Sequence, residues 1–260
     1  MKRPSTFRDE FRRLKTMRFD FFAQTDVGLK REINQDSILV DPEINLFVVA
    51  DGMGGHKGGE VASGIAIETV REVFLKGLNS NSLLPQQLVE QAYKEASRRI
   101  HHVSTVESPD LMGMGTTMVL LWAHRGKIFI GNVGDSRAYL IRGENLMWQV
   151  TEDHSLINEQ VRAGVLTEEE APKVIGRNVI TRSVGFERDV RVDIFQRDFR
   201  PDEKFLLCSD GLSSLVSAER IAKIANNPSP EQVVIDCIEE AKKEGGDDNI
   251  SVICLSPQGL

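Results

Sequence analysis

The sequence predicts an α+β fold, a four-layer α-β-β-α sandwich in which two antiparallel sheets are flanked by helices. Three observations carry this. Short β-rich runs recur in the N-terminal, middle and C-terminal parts of the chain. The middle runs are separated by turns too short for crossover helices, such as His124-Arg125-Gly126 and Gly143-Glu144-Asn145. Two pairs of helical stretches follow strands and carry apolar stripes that need a sheet face to cover.

In chain order, Arg18 to Gln24 and Asp36 to Val40 read as strands, and Leu46 to Ala50 is a continuous apolar run expected to be a buried strand. A helix is expected over about 58–78, with Ile67, Val70, Phe74 and Leu78 on one stripe. A second is expected over about 83–103, with Leu84, Leu88, Ala92 and Ala96 at four-residue steps. Residues 116–123, 127–133, 138–142 and 146–150 read as one antiparallel meander. Residues 151–185 are mixed and polar, with helical pieces near 156–163 and 167–171, and such an insertion beside a site can serve as a flap. Strands near 190–195 and 204–208, helices over 218–225 and 230–243, and a last strand over 250–255 complete the pattern.

At 260 residues, 40% apolar and 27% charged, the chain has the composition of an ordinary globular protein with room for a sizeable core. A net charge of −7 argues against a dedicated nucleic-acid binder. No membrane span is expected, and the N-terminus lacks the apolar core of a signal peptide. Cys208, Cys237 and Cys254 lack CxxC spacing and read as reduced residues of a cytoplasmic protein. Charge is uneven: residues 1–18 carry +5, leaving −12 for the rest. Phe7, Phe11 and Leu14 follow a helical spacing, so this basic extension reads as a short amphipathic helix for an anionic surface or a partner, as a helix docked on the acidic body, or as a frayed tail. Without linkers or repeats, 19–257 reads as one domain and as a monomer.

Four aspartates carry the chemistry. Asp51, Asp135, Asp210 and Asp248 lie in LFVVADGMGGH, FIGNVGDSR, FLLCSDG and GDDNISVICL. Each sits where an apolar run meets small or turn-forming residues, which delivers a carboxylate to the rim of a sheet. Any one Asp-Gly pair alone is an ordinary turn. Repetition of the arrangement is what points to convergence on hard divalent cations, Mg²⁺ or Mn²⁺. The lack of His or Cys ligands argues against zinc. Within GLKREINQD, Arg31 is either a phosphate-binding arginine or a solvated surface residue, and Asp36 offers a fifth carboxylate.

The ordered set RExNQD, ADGMGGHKGGEVAS, GTT, GNVGDSR, TEDHS, ITRSVG, SDG and GDDNIS resembles the metal-dependent Ser/Thr protein phosphatases of the PP2C (PPM) family, in their compact bacterial form. The resemblance spans about residues 19–256. It implies hydrolysis of phosphoserine and phosphothreonine proteins by a water held between two ions, with no covalent phosphoenzyme, and a partner Ser/Thr kinase whose work is opposed. It implies that Asp51 bridges both ions, the Gly52 carbonyl binds the second, Asp210 and Asp248 hold the first, and Asp36 orders coordinated water. It further implies that Asp135 with Asp210 forms a weaker third site and that Arg31 meets the substrate phosphate.

The chain departs from the family pattern at Gln35, where many relatives carry Glu, and at Met53, where animal-type relatives carry a proposed acid histidine. His56 stands three residues on, either as a general acid or substrate contact or as a structural residue of the Gly-rich loop. His154 reads as structural. Rival chemistries lack their signatures. No Cys is followed six residues later by Arg, Asp51 is followed by Gly-Met rather than x-Asp, and GMGGHKGG is not a P-loop. A non-catalytic interaction module on the same fold would have lost ligand aspartates, and all are present.

Overall fold

The computed structural model describes residues 18–80, 83–143, 146–167, 170–174 and 179–258. In chain order these form β1 (Arg18–Asp26), β2 (Asp36–Asp41), β3 (Leu46–Met53), α1 (Gly55–Ser80) and α2 (Pro85–His102). Then come β4 (Gly115–Thr116), β5 (Met118–His124), β6 (Lys127–Val133), β7 (Arg137–Arg142) and β8 (Met147–Gln149). Short helices α3 (Leu156–Arg162) and α4 (Ala171–Val174) precede β9 (Asp193–Asp198) and β10 (Glu203–Cys208). The chain closes with α5 (Asp210–Ser213), α6 (Ala218–Ala225), α7 (Pro230–Lys243) and β11 (Ile250–Gln258). The basic extension falls outside the described residues up to position 17, and Arg18 opens β1.

Two antiparallel sheets form, ordered β1-β11-β10-β7-β8 and β2-β3-β5-β6-β9, with β4 paired to β3. Strand alternation explains the layers. On β3, Leu46, Val48 and Ala50 face α1 and α2, while Phe47 and Val49 point between the sheets. On β10, Phe205 and Leu207 point between the sheets, while Leu206 and Cys208 face α6 and α7. The result is three apolar layers between four structural ones, as expected from the sequence. Ser217 and Ser229 open α6 and α7 by accepting the N–H groups of Arg220 and Gln232, each at 3.3 Å.

The expected single meander is corrected. The hairpin β5–β6 belongs to one sheet and β7–β8 to the other. The chain changes sheets at Gly134-Asp135-Ser136, where Gly134 has φ 103°. Strand β9 begins at Asp193 rather than Val190, because its pairing with β6 runs from Asp193 to Asp198. Val190 instead joins the core beneath α2. Helix α2 stops at His102 and passes into a π-helical turn over Val103–Glu107. The second helical piece of the 151–185 segment starts at Ala171 instead of Thr167, whose carbonyl accepts the Ala171 N–H at 3.0 Å.

Candidate metal centre

The sheet ends bring the five aspartates together. Asp36 opens β2 directly opposite Asp51 on β3. Asp135 lies on the crossover between sheets, Asp210 follows β10, and Asp248 precedes β11. A pocket of about 670 Å³ is lined by Asp51, Gly52, Asp135, Asp210 and Asp248, with Arg31 and Gln35 beside them. Asp36 is buried, does not line the pocket, and still feels the charges of Asp210 and Asp248.

Hydrogen bonds aim these side chains. The hydroxyls of Ser209 and Ser251 donate to Asp36 Oδ2 at 2.8 and 2.7 Å, leaving Oδ1 buried without a partner. The Asp51 carbonyl accepts from the Thr117 N–H and the Thr116 hydroxyl, both at 2.8 Å, and its N–H donates to Thr117 Oγ1 at 3.2 Å. Asn249 ties the Arg31 loop to β11. Its Oδ1 accepts the Gln35 N–H at 2.8 Å, and its Nδ2 donates to the carbonyls of Val27 and Ile33 at 2.9 and 3.1 Å. Glycine beside an aspartate has a steric reason at two positions. A Cβ on Gly52 would sit 2.0 Å from the Gly59 carbonyl oxygen, and one on Gly211 would sit 2.0 Å from that of Asn249.

The electrostatics are those of crowded acids. Burial, then repulsion from Asp36, Asp210, Asp135 and Asp248, holds the Asp51 carboxyl well above the usual carboxylate range. Burial pushes Asp36 up to about 7 against the pull of its two serine hydroxyls. Burial, with Asp210 and Asp153 nearby, pushes Asp135 up to about 7. Asp210 is raised by burial and by Asp248, and is eased by a hydrogen bond with Asp51. Such a cluster is costly unless cations neutralise it.

The donor set fits hard divalent cations. The carboxylates of Asp51, Asp135, Asp210 and Asp248 line the pocket, with Glu32 also on the wall, and Asp135 Oδ1 is a buried oxygen with no hydrogen-bond partner. Among the described residues no three His, Cys, Asp or Glu side chains form a group that could hold a metal ion by themselves. The carboxylates stand around an open pocket instead, which suits ions that retain several waters.

Arg31 is at the pocket, where its Nη2 donates to Asp248 Oδ2 at 2.8 Å, a partner the sequence did not reveal. Gln35 reaches away from the acids, and its amide donates to the Gly55 carbonyl at 2.8 Å. Met53 lines the pocket. His56 lies in the first turn of α1, and its side chain falls outside the described residues. His154 grips Gly134 through both backbone groups. Its Nδ1 accepts the Gly134 N–H and its own N–H donates to the Gly134 carbonyl, each at 3.0 Å. Its Nε2 stands 3.1 Å from Asp193 Oδ2 and 2.9 Å from Arg182 Nη1, so the ring is a strut that ties the turn beside Asp135 to Asp193 and Arg182. Sequence reading missed Ser209, Ser251, Asn249, Thr116 and Thr117. The available signal was their place inside the SDG, GDDNIS and GTT motifs.

The family model described as protein phosphatase 2C matches residues 29–249 of this chain. The chain belongs to the protein phosphatase 2C family. This phosphatase 2C chain is 35% identical over 239 residues to the serine/threonine phosphatase stp of Listeria innocua, covering 89% of this chain and 93% of that protein. It is 33% identical over 238 residues to the protein phosphatase PhpP of Streptococcus pneumoniae, covering 89% and 95%. The crystal structure of Mycobacterium tuberculosis PstP/Ppp superposes with a TM-score of 0.83 at 31% identity, covering 94% of this chain and all of that one. A PstP catalytic domain in complex with two manganese ions gives a TM-score of 0.82 at 31% identity and the same coverage.

Proposed function

We infer that this chain is a metal-dependent protein serine/threonine phosphatase that hydrolyses phosphoserine and phosphothreonine and uses two Mn²⁺ or Mg²⁺ ions. The convergence of carboxylates on one pocket beside Arg31 carries this reading. In it, Asp51 would serve both ions, the Gly52 carbonyl would help hold the second, Asp210 and Asp248 would hold the first, and Asp135 with Asp210 would offer a third, weaker site. Bound there, the cations would supply Lewis acidity at phosphorus and lower the pKa of water.

The protein's own residues do the remaining work. Ser209 and Ser251 hold one oxygen of Asp36, so that its other oxygen is free to accept a hydrogen bond at the edge of the site. Arg31 offers a planar guanidinium to the phosphate and gives up its contact with Asp248 to do so. The described residues lining the pocket include no Ser, Thr, Cys or His. Those residues offer no hydroxyl, thiol or imidazole nucleophile, and with the aspartates assigned to the cations we read the attack as one by water. The three cysteines are buried, and burial pushes Cys208 and Cys254 up to about 12, so they supply no thiolate. His56 remains the candidate for protonating the leaving oxygen.

The enzyme acts on phosphoproteins. We read it as a monomeric cytoplasmic enzyme of domain 19–257, with the basic extension outside the domain, opposing a Ser/Thr kinase. Its free cysteines support a reducing compartment. Among the described residues no helix is long and apolar enough to cross a membrane.

The test is hydrolysis of a phosphothreonine peptide and of p-nitrophenyl phosphate with and without Mn²⁺. Turnover should require the ion, and well-folded protein without Mn²⁺-dependent turnover would sink the reading. In the same assay Arg31→Ala should lower kcat/KM by about tenfold or more while Mn²⁺ still binds. Unchanged kinetics would return Arg31 to the status of a surface residue.

A further inference from the structure

A second groove, of about 510 Å³, continues from the carboxylate pocket and shares Met53 and Ile180 with it as walls. Further along it are Phe186, Val190 and Arg191. Phe186 is 64% exposed. A lone exposed apolar residue is ordinary in itself. What sets this one apart is the rigidity of the turn that presents it.

Val184 and Thr116 exchange backbone hydrogen bonds of 2.8 and 2.9 Å. The Gly185 N–H donates to Ser97 Oγ at 2.9 Å, and the Ser97 hydroxyl donates to the Glu187 carbonyl at 2.7 Å. Gly185 takes φ 98°, and a Cβ there would meet Ile100 at 2.2 Å, so the turn is pressed against α2 in a form that only glycine tolerates. Thr116 also donates to the carbonyl of Asp51. The backbone that carries the central aspartate and the turn that displays Phe186 are therefore pinned by one residue.

Two of the groove's charges are engaged on its walls. Arg182 bonds Asp193 at 2.9 Å, and Asp189 bonds Arg98 at 3.0 Å. Glu187 and Arg191 contribute one charge of each sign. What the groove offers an incoming chain is the apolar surface of Met53, Ile180 and Phe186, continuous with the place where a phosphate would bind.

We propose that this groove holds the polypeptide of the phosphoprotein substrate beside its phosphorylated residue and seats an apolar side chain against Phe186. The enzyme thereby favours phosphosites with a large aliphatic or aromatic neighbour. The proposal rests on the phosphatase reading above. Small aryl phosphates reach only the carboxylate pocket and are indifferent to the groove.

The experiment uses the full chain with Mn²⁺ and phosphothreonine peptides in a Gly/Ser background, with a single leucine scanned over three positions on either side. p-Nitrophenyl phosphate is the reference. The best leucine peptide should exceed the leucine-free peptide in kcat/KM by about tenfold, the scale of burying part of one aliphatic side chain. Phe186→Ser should erase that preference and Phe186→Leu should keep it, with p-nitrophenyl phosphate hydrolysis unchanged in both. A wild-type enzyme indifferent to leucine overturns the proposal. So does a Phe186→Ser enzyme that loses p-nitrophenyl phosphate turnover in proportion, which would make the turn a support of the catalytic pocket. Indifference to leucine together with a dimeric mass that Phe186→Ser halves would give the face to a second copy of the chain. If the wild type hydrolyses neither kind of substrate, the phosphatase reading itself fails and takes the groove with it.

Discussion

Asp51→Asn is expected to lower phosphatase turnover by at least about a thousandfold, or roughly 4 kcal/mol of transition-state stabilisation, while the fold survives. Asp51 lies at the end of β3 with its backbone fixed by Thr116 and Thr117, so the amide takes the same place without disturbing the sheet. Its carboxylate is the one that all four other acids repel. Removing that charge should raise the metal-free protein's stability by about 1 kcal/mol, because the cluster serves cation binding at the expense of folding. Loss of activity together with a higher Tm in EDTA is a signature that mere damage to the structure would not produce. Near-normal kcat in Asp51→Asn would contradict the bridging role.

Removal of divalent cations should have an effect of similar size, with a definite dependence on pH. Asp36 and Asp135 each titrate near 7 in the folded protein, raised by burial above an unfolded value of about 4. The folded state therefore binds more protons than the unfolded chain between about pH 4 and pH 7. The contribution of these groups to stability falls as pH rises through that window. In EDTA the Tm of the wild type should drop from pH 5 to pH 8 by more than that of Asp51→Asn, in which the shared repulsion is relieved. Saturating Mn²⁺ should reverse the trend, since cations bind ionised carboxylates and add about 2.7 kcal/mol per site at a hundredfold excess over Kd. Thermal unfolding across that pH range, with and without Mn²⁺, checks both signs.

The layered fold was legible because short β-rich runs joined by tight turns stand beside helical stripes that need a sheet to cover, and because a strand apolar throughout needs cover on both faces. Phe47 and Val49 against Leu46, Val48 and Ala50 show two different buried faces. Partner choice was less legible, because it depends on contacts distant in sequence. Strand β1 pairs with β11 across most of the chain, and β7 leaves the sheet of β6 at a turn that resembles any hairpin. The same crossover places Asp135 at the site. Val190 and Val192 look like strand residues by composition, but their apolar surface packs under α2 ahead of the pairing that begins at Asp193.

Within the site, the aspartates stood out because each interrupts an apolar run. Their supports did not stand out, because they act through single hydrogen bonds between distant segments. Ser209 and Ser251 reach Asp36 across more than 170 residues of chain. Asn249 works the same way, from just before β11 onto the loop that carries Arg31. The contact between Arg31 and Asp248 depends on that loop's path, which no local pattern encodes.

One carboxylate cluster should hold the ions on which turnover depends. The most direct test is a Mn²⁺ titration of the wild type and of Asp51→Asn, counting bound ions by equilibrium dialysis while turnover of a phosphothreonine peptide is followed. Wild-type activity should rise with the filling of two ions per chain, and Asp51→Asn should lose at least one of them along with its activity. Full wild-type turnover in metal-free protein, or two ions bound equally well by Asp51→Asn, would contradict this.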